Sequence, residues 1–120
     1  EELLQALAPP QIAGLTLLGG EPMEPENQKG LQPFLARVRE RYPQKTIWCY
    51  TGYLFDRDLR EGGRAWCSVT DGILSMLDVL VDGEFMIEKK DISLRFRGSK
   101  NQRIIDVKES LGSGRVICLE

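Results

Sequence analysis

Histidine is absent from this chain, and cysteine is both scarce and scattered. Without an imidazole there is no Ser–His triad and no histidine general base, and a zinc site of mixed ligands is badly weakened. Cys49, Cys67 and Cys118 stand far apart in the sequence. An odd, scattered set is a poor disulfide framework, so reduced thiols in a reducing compartment are expected. No two are spaced for a CxxC or CxxxCxxC ligand loop, so a cluster built by this chain alone would need all three distant thiols to converge. No apolar run approaches the ~20 residues needed to span a bilayer. The longest, around Val79–Val81, is strand-sized. Positive charge is not in excess either. A net charge of −2 argues against a general nucleic-acid or membrane-surface binder. Neither GxGxxG nor GxxxxGK(S/T) occurs, which disfavours a nucleotide-binding α/β domain. The N-terminus, Glu1-Glu2-Leu3-Leu4, has no Met start and lacks the basic and apolar regions of a signal peptide. The expectation is a cytoplasmic protein, present as a fragment or a processed form.

What is present is ordinary globular material, 42% hydrophobic and 28% charged over 120 residues, the size of one domain. Such a chain buries roughly two thirds of its unfolded surface, enough for one core. Residues 1–8 place Leu3, Leu4 and Leu7 at helical spacing before Pro9-Pro10. Ile12 to Leu18 reads as a short apolar strand bounded by Gly19-Gly20. Glu26 to Tyr42 carries an apolar stripe of Leu31, Phe34, Leu35 and Val38, an amphipathic helix closed by Pro43. Thr46–Tyr50 is a second buried-type strand, with a weaker helix near Leu54–Arg60 after it. A helix from Thr70 to Leu77, capped by Thr70 or Asp71, leads to a third apolar strand, Leu77 to Val81. Alternating helices and strands with short links predict a parallel α/β sheet. The tail carries shorter, more polar strand-like pieces at Ile92–Phe96, Arg103–Val107 and Arg115–Leu119. Trp48, Phe34 and Phe85 read as core aromatics.

Ligands of parallel α/β sheets sit beyond the carboxyl ends of the strands, where the loops open on one edge. Three strand exits fall there: Gly19-Gly20-Glu21-Pro22, Tyr50-Thr51-Gly52 and Asp82-Gly83-Glu84. Each pairs a glycine, which lets a ligand approach the main chain, with an oxygen-bearing side chain. Glu21, Thr51 and Asp82 together suit an ammonium group, a cation or several hydroxyls. Taken singly, each exit is equally an ordinary turn.

The sequence around these exits carries a resemblance. Gly19-Gly20-Glu21-Pro22 after an apolar strand resembles the GGEP motif of radical S-adenosylmethionine enzymes. GLTLLGGEP at 14–22, EPENQKGL at 24–31, IWCYTGY at 47–53, LDVLVDGEF at 77–85 and FRGSKNQRIIDV at 96–107 together resemble the activating proteins of the anaerobic (class III) ribonucleoside-triphosphate reductase. The resemblance implies an incomplete parallel (β/α) barrel-like sheet of the radical S-adenosylmethionine type, lacking its first strand, with residues 1–120 a single partial domain. An open sheet edge of that kind favours association, so a homodimer is compatible with it. The family's CxxxCxxC loop, whose thiolates hold a 4Fe-4S cluster, would precede Glu1, and Cys49, Cys67 and Cys118 do not replace it.

The implied activity is that of a glycyl-radical activating enzyme. One electron from the cluster cleaves S-adenosylmethionine to methionine and a 5′-deoxyadenosyl radical, which takes a hydrogen from a glycine of the large reductase subunit. This chain alone would be inactive and would supply no metal ligand. By resemblance, Gly19, Gly20 and Glu21 would bind the methionine ammonium, and Thr51 and Asp82 would line the site near the methionine carboxylate and a monovalent cation. Tyr50 stands where related activases tend to carry an acid. Asn101, Gln102 and Arg103 are open to two readings, contact with nucleoside or reductase, or a hydrogen-bonded turn leading into a strand. The basic excess from Met86 to Lys108 is a solvated face or a docking patch for the reductase. Trp66 and Cys67 receive no role. The competing function is a non-catalytic α/β module that docks on the reductase without a cluster.

Overall fold

The computed structural model describes residues 2–119, with side chains from Leu4 onward. Its elements in chain order are α1 (Glu2–Ala6), β1 (Gly14–Leu17), α2 (Pro25–Arg41), β2 (Thr46–Tyr50), α3 (Thr70–Met76), β3 (Val79–Asp82), β4 (Arg103–Asp106) and α4 (Val107–Ser113), with a 3-10 turn at Ile87–Lys89. The four strands form one sheet in sequence order. β1, β2 and β3 run parallel, with Leu15 opposite Ile47 and Cys49 opposite Leu80, while β4 runs antiparallel to β3. The three apolar strands are therefore parallel, as their hydrophobic character predicts. The result is an α/β fold with a mostly parallel sheet that does not close.

Side chains alternate across a strand, and the alternation divides the molecule. Ile47, Cys49, Leu80 and Ile105 point to the helices and join Leu35 and Val38 of α2 and Ile73 and Leu74 of α3 in the main core. Trp48, Tyr50, Val79, Val81 and Ile104 form a smaller cluster separate from it. Pro25 opens α2, where a missing N–H costs nothing, and Arg39 and Arg41 complement the dipole of its last turn. Arg39 also fastens α2 to the start of β3. Its guanidinium donates to Met76 O (2.9 and 2.7 Å), Lys45 O (2.8 Å) and the Asp78 carboxylate (2.6 Å). Asp78 in turn accepts from the Ile47 N–H at 2.8 Å.

Several local expectations are corrected. Leu54–Arg60 is a run of turns: the Leu59 N–H bonds Leu54 O (3.2 Å) instead of continuing a helical ladder, and the Asp58 carbonyl is taken by Ala65 N (3.0 Å). Ile92–Phe96 is not a strand: the Asp91 carboxylate accepts from Ser93 N at 2.9 Å, closing a turn, and Phe96 has φ +69°. Arg115–Leu119 makes a single bridge, Cys118 to Ile105. Residues 107–113 form a helix that the reading above did not contain. Phe85 is 49% exposed, because Gly83 with φ +103° turns the chain outward after β3. Val69 holds the N-cap position of α3 without a side-chain bond. Thr70 Oγ1 accepts from Cys67 N (2.8 Å) and donates to Gln28 Oε1 (2.5 Å).

Two predictions arise here. Burial works against the charge of Asp58, but Arg57, the Leu54 N–H and Arg64 outweigh it and hold its carboxyl down at about 2. The unfolded value is about 3.9, so this stabilisation is complete above that pH and is lost as pH falls through about 2. Acid unfolding followed by circular dichroism should show a loss between pH ~4 and ~2 that Asp58→Asn flattens. The second concerns Gln28, fully buried, whose amide donates to Met23 O (2.7 Å) and Ala65 O (2.8 Å). Gln28→Leu strands both carbonyls and removes the acceptor of the Thr70 hydroxyl, which keeps the Cys67 N–H. Urea unfolding should show a loss of about 2–4 kcal/mol, on the order of 1–3 per stranded group with partial relaxation.

Candidate functional site

The carboxyl ends of β1, β2 and β3 share one edge because the strands are parallel. β1 runs out into Gly19 and Gly20, with φ of +69° and +42°, a backbone region that favours glycine. Nothing lies within 4 Å of where a Cβ would sit at either position, and both residues are exposed. Glu21 follows, its backbone restricted by Pro22, and its carboxylate turns across to the end of β2. Oε2 accepts from Thr51 Oγ1 (2.6 Å) and from Met23 N (2.9 Å), and Oε1 accepts from Gly52 N (2.7 Å). The Glu21 carbonyl accepts from Asn27 Nδ2 at 2.8 Å. A carboxylate offers about four acceptor positions. Three are filled, and the remaining one, on Oε1, has no partner among the described residues.

The structure thus brings Gly20, Glu21 and Thr51 together, and Gly83 joins them in lining a shallow cavity of about 200 Å3 with Phe85 and Gln102; Gly19 lines a neighbouring cavity between β1 and α2 instead. Asp82 stands on the same edge but is engaged elsewhere. It is fully buried, and its oxygens accept from Phe55 N (2.8 Å) and from Arg103 Nε (3.0 Å) and Nη2 (2.6 Å). Arg103 also reaches Asp56 at 2.8 Å. Asn101 donates to Glu84 O (2.7 Å), while Gln102 donates to Gly83 O (3.0 Å) and accepts from Gly98 N (2.8 Å). All three residues hold the turn into β4.

Sequence reasoning missed several neighbours. Gln28 clamps the Met23 peptide from its carbonyl side while Glu21 holds its N–H. Tyr53 donates its hydroxyl to Glu24 at 2.9 Å, and Glu24 holds that hydroxyl's proton above the ordinary tyrosine range. Tyr50 donates to Phe96 O at 2.6 Å, and the Phe96 ring packs on Trp48 with centroids 5.2 Å apart. The contacts of Tyr53, Tyr50 and Phe96 are long-range in sequence and carry no local pattern. Beside them, the sheet face away from the helices opens into a cavity of about 450 Å3 lined by Thr16, Trp48, Tyr50 and Phe96. Trp66 donates to Asp71 at 3.2 Å.

The cysteines do not converge on a metal site. Burial first, and the nearby Glu21 carboxylate second, push the Cys49 thiol up to about 12, far from the thiolate that iron requires. Cys67 lies against Gln28 and Thr70, and Cys118 is exposed. No group of three or more Cys, Asp or Glu side chains among the described residues could hold a metal ion.

A family model described as a 4Fe-4S single cluster domain matches residues 1–105. The chain belongs to this family. Its similarity to curated proteins runs in the same direction. It is 46% identical over 91 residues to the anaerobic ribonucleoside-triphosphate reductase-activating protein of Haemophilus influenzae, covering 76% of this chain and 54% of that protein. It is 41% identical over 105 residues to the protein of the same name from Pasteurella multocida, covering 86% and 63%. The corresponding protein of Enterobacteria phage T4 is 34% identical over 106 residues, covering 87% and 60%. The chain therefore spans between half and two thirds of the length of these relatives. No solved structure shows a significant match. As a member of the 4Fe-4S single cluster domain family, the chain carries the strand-exit edge, but its own thiols do not fit the cluster.

Proposed function

We propose that this chain is the S-adenosylmethionine-binding part of a glycyl-radical activating enzyme whose full-length form acts on anaerobic ribonucleoside-triphosphate reductase. The observation that carries the reading is the Glu21 carboxylate, held by Thr51 and Gly52 at the carboxyl edge of the parallel strands, next to two exposed glycines. The names of the relatives support it, and so does membership of a 4Fe-4S family. In this reading the sheet is a portion of an incomplete barrel, and the cluster is held by residues outside this chain. No helix among the described residues is long and apolar enough to cross a membrane, and the proposal takes the protein to act in the cytoplasm.

When bound, the cluster and S-adenosylmethionine supply the one-electron chemistry; what this chain supplies is charge and position. Glu21 offers its free acceptor to the methionine ammonium, joined by the carbonyls of Gly19 and Gly20. A charge-assisted bond of that kind is about twice as strong as a neutral one. Thr51 fixes the carboxylate rather than competing with it, since its hydroxyl donates to Oε2. Asp82 holds the β3 exit and the Arg103 turn, so that Gly83 and Gln102 keep their places at the cavity wall.

The experiment is anaerobic reconstitution of this chain and of the full-length protein, side by side. The full-length protein should take up about four irons and bind S-adenosylmethionine, and this chain should take up none. Four irons on this chain, with absorption in the visible, would place the cluster on Cys49, Cys67 and Cys118 and contradict the proposal. A full-length protein that docks on the reductase but binds neither iron nor S-adenosylmethionine would favour the non-catalytic module.

A further inference from the structure

The segment from Phe85 to Lys100 is built inside out. Its anchors are polar: Ser99 is fully buried, its hydroxyl accepts the Met86 N–H at 3.2 Å, and the backbones of Lys90 and Ser99 bridge the two arms. Gln102 Oε1 accepts from both Gly98 N (2.8 Å) and Ser99 N (3.1 Å). Its tips are apolar and in water. Four of the seven exposed large hydrophobic residues among the described residues lie here, Phe85, Ile87, Ile92 and Phe96, with Ile92 92% exposed. A self-sufficient loop does the reverse, and clustered exposed apolar groups mark interaction surfaces.

The charge of the lobe departs from that of the chain. Five cations, Lys89, Lys90, Arg95, Arg97 and Lys100, face two acids, Glu88 and Asp91, in a protein of net charge −2. No ion pair holds Lys89, Lys90 or Lys100 among the described residues. The lobe is also preorganised. Phe96 sits at φ +69°, an unfavourable region for a bulky residue, kept there by the Tyr50 hydroxyl on its carbonyl and by the Trp48 ring. Backbone strain held in place by its surroundings clusters at functional positions, and preorganisation lowers the cost of binding. The lobe reaches the candidate site, because Phe85 lines the small cavity beside Glu21 and Phe96 the larger one on the sheet face.

From this we infer that the Phe85–Lys100 lobe is the docking surface for the protein substrate, and that it fits a partner patch in which carboxylates surround an apolar pocket. Charge complementarity selects that occupant: the lysines meet the carboxylates and Ile92 enters the pocket. The inference rests on the proposed function, which names the reductase as that substrate.

The test measures binding of the iron-loaded, full-length protein to the large subunit of its own organism's anaerobic ribonucleoside-triphosphate reductase, at low and at moderate salt. The triple variant Lys89→Glu, Lys90→Glu, Lys100→Glu should weaken the complex more than about tenfold at low salt and flatten its salt dependence. Ile92→Ala should weaken it severalfold at both salts, as loss of a buried interface anchor does. Lys29→Glu, at an exposed position of α2, makes one such charge reversal outside the lobe and should change little. S-adenosylmethionine affinity should stay at the wild-type value in all of them, which shows that they fold. If the wild type binds the reductase and both lobe variants bind equally well, the docking inference is overturned and the proposed function stands. If the wild type binds S-adenosylmethionine but not the reductase, the proposed function fails and takes this occupant with it. Lobe-dependent binding to phosphatidylserine vesicles, with none to the reductase, would likewise overturn it.

Discussion

Arg103→Ala should destabilise the fold by about 3–5 kcal/mol, the range observed when one partner of a buried ion pair is removed. The Asp82 carboxylate has no exposed surface, and two of its three hydrogen bonds come from Arg103, at 3.0 and 2.6 Å. Only the Phe55 N–H, at 2.8 Å, would remain. A charge left that way keeps its desolvation cost and loses its compensation, which is why removal of one partner costs more than the pair contributes. The same guanidinium ties Asp56, so the turn at residues 54–60 loses an anchor as well. Arg103→Lys should recover only part of the loss, since an ammonium cannot make the two-pronged contact. Against a total stability of about 5–15 kcal/mol for such domains, the change is large and easily read by urea unfolding. A loss under about 1 kcal/mol would mean that the Asp82 carboxylate reaches water when Arg103 is gone.

The second large effect is expected at Glu21. In the full-length, iron-loaded protein, Glu21→Gln should lower S-adenosylmethionine affinity about tenfold to a hundredfold, equivalent to roughly 1.5–3 kcal/mol for a lost charge-assisted bond. Iron content should not change, because Glu21 is not proposed as a cluster ligand. The substitution does more than neutralise a charge. Glu21 accepts from three donors with two oxygens, and a glutamine amide has only one oxygen, so either Gly52 N, or both Thr51 Oγ1 and Met23 N, would face an NH2 group. Thr51→Val separates the two effects. It removes a donor to the carboxylate but keeps its charge, so it should cost stability and change affinity only slightly. Calorimetric titration of both variants, with unfolding measured in parallel, reads the difference.

Much of the fold is legible in the sequence. The three strands, apolar on both faces, gave the parallel part of the sheet, and proline and glycine punctuation set most element ends to within a residue or two. The gathering of Glu21 and Thr51 followed from parallel topology alone, because parallel strands put their exits on one edge. What was not legible depended on side chains that bond across long separations or compete with the backbone. Asp91 turns an expected strand into a turn by accepting a nearby N–H, and an expected helix at 54–60 ends where Leu59 N bonds Leu54 O and Asp58 O bonds Ala65 N. α4 was missed although its signals are present: Asp106 accepts the Glu109 N–H at its start, and Gly114 closes it with φ +77°. The apolar run Ile104-Ile105 just before it belongs to β4 and masks the start of the helix. The burial of Asp82 could not be foreseen either, because its partner Arg103 lies on an antiparallel strand of the polar tail.

The account turns on one placement, the methionine end of S-adenosylmethionine against the Glu21 edge. A co-crystal structure of the anaerobic, full-length protein with S-adenosylmethionine tests it directly. The expected result has the ammonium within about 3 Å of Glu21 Oε1 and of a carbonyl of Gly19 or Gly20, with the Thr51 and Gly52 bonds to Glu21 intact. S-adenosylmethionine found elsewhere, with the Glu21 carboxylate still bonded only to Thr51, Gly52 and Met23, would reduce the GGEP segment to a structural turn and contradict the account.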